Sequence, residues 1–159
     1  MSSVIEFHVL ESSQETRWLH YVAELSESLL STNMRLLILS DQPAFLNAID
    51  EKLWTFKDNS FIAHERVNGT TPPLRSGVVG IGHELLECDL VIHLGLSPLE
   101  SFGTATRVID VIDSEPQRRE AGRARFSAYR KRGMSPETIK NPPTPALDGN
   151  HSSSRPQST

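Results

Sequence analysis

Val4-Ile5-Glu6-Phe7-His8-Val9-Leu10, the stretch from Arg17 to Leu30, and Leu36-Leu37-Ile38-Leu39 decide the fold between them. The first is a nearly unbroken apolar run, short enough for a strand and of the kind covered on both faces. The second sets Trp18, Tyr21, Val22, Leu25 and Leu29 at helical spacing, with Thr16 available as its N-cap. The third follows a turn at Asn33, reads as another buried strand, and ends at Ser40 and Asp41. A second helix then carries Phe45, Leu46, Ile49 and Leu53, with Pro43 in its first turn, where a missing N–H is tolerated. Strand, helix, strand, helix is the opening of a parallel sheet with crossover helices.

Further along, Asn68 to Pro73 reads as a loop, Val78 to Ile81 as a short strand, and His83 to Glu87 as a helical turn. Leu90 to Leu94 and Val108 to Ile112 are two more apolar strands, and a last helix runs from Pro116 to Arg132, stopped by Gly133. The pattern predicts a three-layer α/β/α sandwich with a mostly parallel sheet of about five strands. A chain of 159 residues, 37% of them hydrophobic, supports one core rather than two, which places a single domain over residues 1–134. From Ser135 the chain becomes Pro- and Ser-rich without a hydrophobic pattern, so residues 135–159 are predicted to be a disordered tail. The start has no basic region ahead of a long apolar run, and one cysteine, Cys88, allows no internal disulfide. A soluble, cytoplasmic protein is expected.

Charge is sorted along this chain. The net charge is −4, yet the segment from Gln117 to Arg132 holds seven Lys or Arg and one Glu. Arg123, Phe126, Ser127 and Arg130 fall at i, i+3, i+4 and i+7, one helical face that joins two guanidinium groups to an aromatic ring and a small gap. Such a face suits an acidic ligand with an apolar end. The commoner reading of such a pattern is a solvated basic helix whose Phe126 and Tyr129 pack on the core. The acidic remainder argues against a general affinity for nucleic acid.

Reaction centres are harder to find. The turn after the first strand, Glu11 to Glu15, has no glycine to wrap a phosphate and two carboxylates that would repel one. Gly77, Gly80 and Gly82 have the wrong spacing for a dinucleotide fingerprint. His83, Glu84 and Glu87 lack the second histidine of a helical metal pair, and Cys88 with His93 sits on an apolar strand where a thiol is usually inert. No cofactor, metal or catalytic centre is expected. Trp54, Phe56 and Phe61, by contrast, cluster beside Lys57, Asp58 and Asn59, so these rings serve the core or a partner surface.

Three segments resemble the chi subunit of bacterial DNA polymerase III: Leu53 to Phe56 with Ser60 to His64, the strand Arg107 to Ile112, and the helix Arg123-Ala124-Arg125-Phe126-Ser127-Ala128-Tyr129-Arg130. The resemblance runs in order from about residue 4 to residue 134. It implies a non-catalytic accessory protein of the clamp-loader assembly, with no membrane partner and only indirect contact with nucleic acid. It also implies two protein partners. One is the psi subunit, carried over to Trp54, Phe56 and Phe61; the other is the acidic C-terminal tail of the single-stranded DNA-binding protein, which ends in Pro-Phe. For that tail the resemblance points to Ile112, Arg123, Phe126, Ser127 and Arg130. The chain departs from the family where chi proteins can carry tyrosine and lysine, here Phe126 and Ser127, and where a proline is common, here Ala63. The first departure implies a weaker hold on the tail. The alternatives are direct binding of single-stranded nucleic acid by the basic helix, or a small-molecule enzyme using Cys88, His83 and His93.

Overall fold

The computed structural model describes residues 3–56, 62–69 and 73–142. Along the chain come β1 (Val4–Val9), α1 (Glu15–Leu30), β2 (Leu36–Leu39), α2 (Pro43–Thr55) and β3 (His64–Arg66). β4 (Val79–Gly82), β5 (Leu90–His93), β6 (Arg107–Ile112), α3 (Pro116–Lys131) and β7 (Glu137–Lys140) complete the order. The strands form one sheet in the order β3-β4-β2-β5-β6-β1-β7, and every neighbouring pair is parallel. The α/β class therefore stands as read, with seven strands among the described residues where about five were expected.

Strand alternation sorts the core into two faces. Leu36, Ile38, Leu90, Ile92, Ile109 and Val111 pack under α1 and α2 with Trp18, Val22, Leu46, Ile49 and Leu53. On the opposite face Ile5, Phe7 and Ile112 meet Tyr129 of α3, while Leu37, Leu39, Val91 and Val108 are covered by loop residues such as Leu85, Leu99 and Phe102. Among the described residues the second layer of cover is thus one helix plus loops.

Three expectations are corrected. Thr16 lies inside α1, whose N-cap is Gln14 and makes no side-chain cap bond. His83 to Glu87 forms no helical turn. Glu137–Lys140, assigned by composition to a disordered tail, is a strand on the free edge of β1, with Glu6, Phe7, His8 and Val9 opposite Glu137, Thr138, Ile139 and Lys140. The described chain runs through Pro142, and the rest of the expected tail, residues 143–159, lies outside the described residues.

Helix α3 is delimited by its own chemistry. The Glu115 carboxylate accepts from the Arg118 N–H at 2.9 Å, and Pro116 occupies the first turn. At the other end Gly133 has φ +87°, the Gly133 N–H donates to the Arg130 carbonyl, and the Met134 N–H to the Tyr129 carbonyl. This paired 5→2 and 6→1 closure needs a left-handed residue, which glycine supplies without steric cost. Met134 then packs beside Tyr129, and the chain is turned back toward β1, where β7 forms.

Two arginines hold α3 against the sheet. Arg125, only 2% exposed, donates to both oxygens of Asp110 on β6 at 2.8 and 2.6 Å, and to the carbonyls of Gly95 and Leu96 at 2.8 and 3.2 Å. Arg118 does the same to Asp113 at 2.9 and 2.8 Å and lies 4.5 Å above the Trp18 ring, so the start of α3 is tied to α1 as well. Burial alone would raise the Asp110 pKa, but the Arg125 charge and the bonds from His93 and Arg125 outweigh it and hold the carboxyl below its ordinary value.

Removing one partner would leave the other charge buried and unpaired. Arg125→Ala is expected to cost about 3 to 5 kcal/mol, measured by urea unfolding. Because the Asp110 pKa is lowered on folding, the pair's contribution is complete above the unfolded carboxylate value of about 3.9 and drains away as pH falls below it. The urea midpoint of the parent should therefore fall more steeply below about pH 4 than that of Asp110→Asn.

Candidate functional site

With Arg118 and Arg125 spent on the interior, the remaining cations of α3 divide by position. Arg132 donates to the Leu99 carbonyl and sits 5.4 Å over the Tyr129 ring. Arg119, Arg123, Arg130 and Lys131 are exposed, and among the described residues their side chains have no hydrogen bond or ion pair. Arg119, Arg123, Phe126 and Arg130 follow one another at spacings of four, three and four, which keeps them within a narrow stripe, whereas Lys131 points well away from it.

The flank on which this stripe lies is fixed by two contacts. The Phe126 ring meets Phe7 of β1 edge-on, with centroids 5.2 Å apart, while Arg125 reaches the other way to the loop after β5. The stripe therefore faces β1 and, beyond it, β7. Phe126 is half-buried, a ring with one edge on the core and one toward solvent. Ile112 lies under Gly122, where an added Cβ would stand 2.6 Å from the Ile112 Cγ2. Ile112 is thus floor beneath the helix, buried to 8%, and Ser127 is exposed at the margin of the stripe. Of the residues singled out in the sequence, Arg123, Phe126, Ser127 and Arg130 are brought together and Ile112 lies just below them.

Arg119 was not singled out, although it lies four residues before Arg123 and helical arithmetic alone puts it on the stripe. Arg118, which helical spacing puts outside this face, is interior and ion-paired.

The second group of rings separates. Trp54, near the end of α2, is 63% exposed and stands edge-on to His64 of β3 with centroids 4.9 Å apart. Phe56 turns inward, 7% exposed, against the ring of His20 at 4.9 Å. Phe61 lies outside the described residues. Trp54 marks the β3 edge of the sheet and the α3 stripe faces the β7 edge, six strand spacings or roughly 29 Å away.

The side chains considered for chemistry do not converge. Cys88 is fully buried, and burial pushes its thiol up to about 11, with its N–H bonded to the Thr104 hydroxyl. His93 faces Asp110 at 3.4 Å in the α3 anchor, while exposed His83 lies across a hollow of about 420 Å³ that Cys88 does not line. Among the described residues no group of three or more His, Cys, Asp or Glu side chains could hold a metal, and no helix is long and apolar enough to cross a membrane.

The sequence pattern of the family described as DNA polymerase III chi subunit, HolC, matches residues 1–137. The chain belongs to that family. A curated relative, the DNA polymerase III subunit chi of Pseudomonas aeruginosa, is 26% identical over 131 residues, which is 81% of this chain and 90% of the relative. A chi subunit is a replication accessory subunit associated with the DNA polymerase III holoenzyme. The match ends at residue 137, so most of β7 falls beyond it.

In this chi-family chain Gly122 sets how close α3 approaches β6. Gly122→Ala would drive a methyl into Ile112, and overpacking of this kind costs about 1 to 3 kcal/mol. Thermal unfolding should register that loss, and Gly122→Ala combined with Ile112→Val should recover part of it.

Proposed function

We propose that this chi-family chain tethers the DNA polymerase III clamp-loader assembly to single-stranded DNA-binding protein by holding that protein's acidic C-terminal tail on α3. The supporting observation is the exposed stripe Arg119, Arg123, Phe126 and Arg130, cationic groups without a described carboxylate partner ranged around a half-buried ring. A tail ending in Pro-Phe offers what the stripe lacks: carboxylates for the guanidinium groups and a phenyl ring to lie beside Phe126. Arg123 and Arg130 take the terminal carboxylate, and Phe126, above Ile112, walls the ring. Ser127 supplies room but no charge.

The psi subunit is proposed to dock around Trp54 at the opposite edge of the sheet, so that both partners can be held at once. Phe56 supports this surface from within the core. The chain acts by binding and not by catalysis, in the cytoplasm where the replication machinery works.

Burial of one phenylalanine contributes roughly 1.5 to 3 kcal/mol, and a charge-assisted hydrogen bond to its carboxylate about 1.5 to 3 kcal/mol more. After ordering costs, an affinity on the order of micromolar follows. Calorimetric titration with an Asp-rich peptide ending in Pro-Phe tests the site. Arg123→Ala and Arg130→Ala should each weaken binding by about 1.5 to 3 kcal/mol. Lys131→Ala, exposed but off the stripe, is the control; Arg118→Ala is unsuitable because it breaks an interior ion pair. Unchanged affinity in both stripe variants would remove the site assignment. Binding of bare single-stranded DNA with a steep salt slope, and none of the peptide, would favour the nucleic-acid alternative instead.

A further inference from the structure

The α3 stripe looks across a groove whose far wall is β7, the edge strand beyond β1. Parallel register pairs Lys140 with Val9, and Val9 with Ile112 of β6, so these three side chains leave the sheet on the same side, the side that carries α3. Thr138, opposite Phe7, lies on that side as well, while Ile139 turns to the other face beside His8. Asn141 closes the strand: at φ +49° its N–H donates to the Val9 carbonyl at 2.7 Å, which fixes the end of β7 and with it the place of Lys140.

Between the two walls lies a hollow of about 260 Å³ lined by Val9, Glu11, Asp113, Arg119 and Lys140, among others. Its charges are unevenly engaged. Asp113 is committed to Arg118, whereas Arg119, Lys140 and Glu11 have no hydrogen bond or ion pair from their side chains among the described residues. Two free cations thus face one free carboxylate, on the same flank of α3 as Arg123 and Phe126.

We infer that Lys140 is a further binding residue of the tail receptor, taking, together with Arg119, the acidic side chains that precede the terminal Pro-Phe. This rests on the tail-holding function proposed above and adds β7 to its binding surface. The terminal phenyl and carboxylate engage Phe126, Arg123 and Arg130, and the acidic part of the peptide crosses the groove toward the β7 wall. Its carboxylates meet opposite charge on both walls. Glu11, at the same hollow, opposes them and limits affinity.

Fluorescence anisotropy at low salt, with the full chain and a labelled Asp-rich peptide ending in Pro-Phe, gives the test. Lys140→Ala is expected to weaken binding about two- to five-fold, Lys140→Glu more than that, and Glu11→Gln to tighten it about two-fold. With Asn in place of every Asp of the peptide and Pro-Phe retained, the parent and Lys140→Glu should bind alike. If Lys140→Glu binds the acidic peptide as tightly as the parent while Arg123→Ala binds it weakly, β7 is no part of the receptor and the inference fails alone. If the parent does not bind the acidic peptide, the tail-holding function fails and this inference with it.

Discussion

Beneath α3 the guanidinium of Arg125 closes on Asp110 from above and on the carbonyls of Gly95 and Leu96 from the side, with almost no water access. A planar donor with two edges engaged can be satisfied in one orientation only, which fixes the rotation of α3 about its own axis. Arg118, seven residues earlier and so on nearly the same face, repeats the device on Asp113 and Trp18. Once those two positions face inward, helical geometry leaves no choice for the others: Arg119, Arg123, Phe126 and Arg130 must emerge on the flank toward β1. The interior pairs thereby decide which cations are available to a partner.

The bulk of the stability has a different source. Large apolar side chains such as Trp18, Leu37, Ile49 and Leu90 are almost wholly removed from water on the two faces of the sheet. An apolar pair of matching volume in place of Arg125 and Asp110 could pack there at little cost in stability. It could not bind the carbonyls of Gly95 and Leu96, and the loop that covers Leu37 and Leu39 would be tied to α3 only through Leu99, which bonds to Tyr129 and Arg132. Orientation, rather than net stabilisation, is what the buried charges provide in this account.

Much of this was legible in the residues themselves. The strands of the sheet's centre are continuous apolar runs and α1 has a clean helical period, because burial on both faces or on one face leaves those signatures. Edge strands leave none. β7 contributes a single half-buried apolar residue, Ile139, and owes its existence to the unpaired edge of β1 and to the turn at Gly133, neither of which a local pattern contains. The stripe could be drawn from spacing, whereas the inward turn of Arg118 and Arg125 depended on Asp113 and Asp110, carboxylates on or just after β6, whose place beneath α3 no helical spacing contains. Trp54 and Phe56 differ by two positions at the end of one helix, so their opposite fates, exposed and buried, follow from where α2 stops.

The account stands most directly on where a Pro-Phe-terminated acidic peptide perturbs the backbone amides of the full chain in an NMR titration. It predicts shifts concentrated from Arg119 to Arg130, at Ile112 and along Glu137–Lys140, with the amides around Trp54 and His64 unmoved. Shifts centred on Trp54 and His64, with α3 and β7 silent, would contradict it.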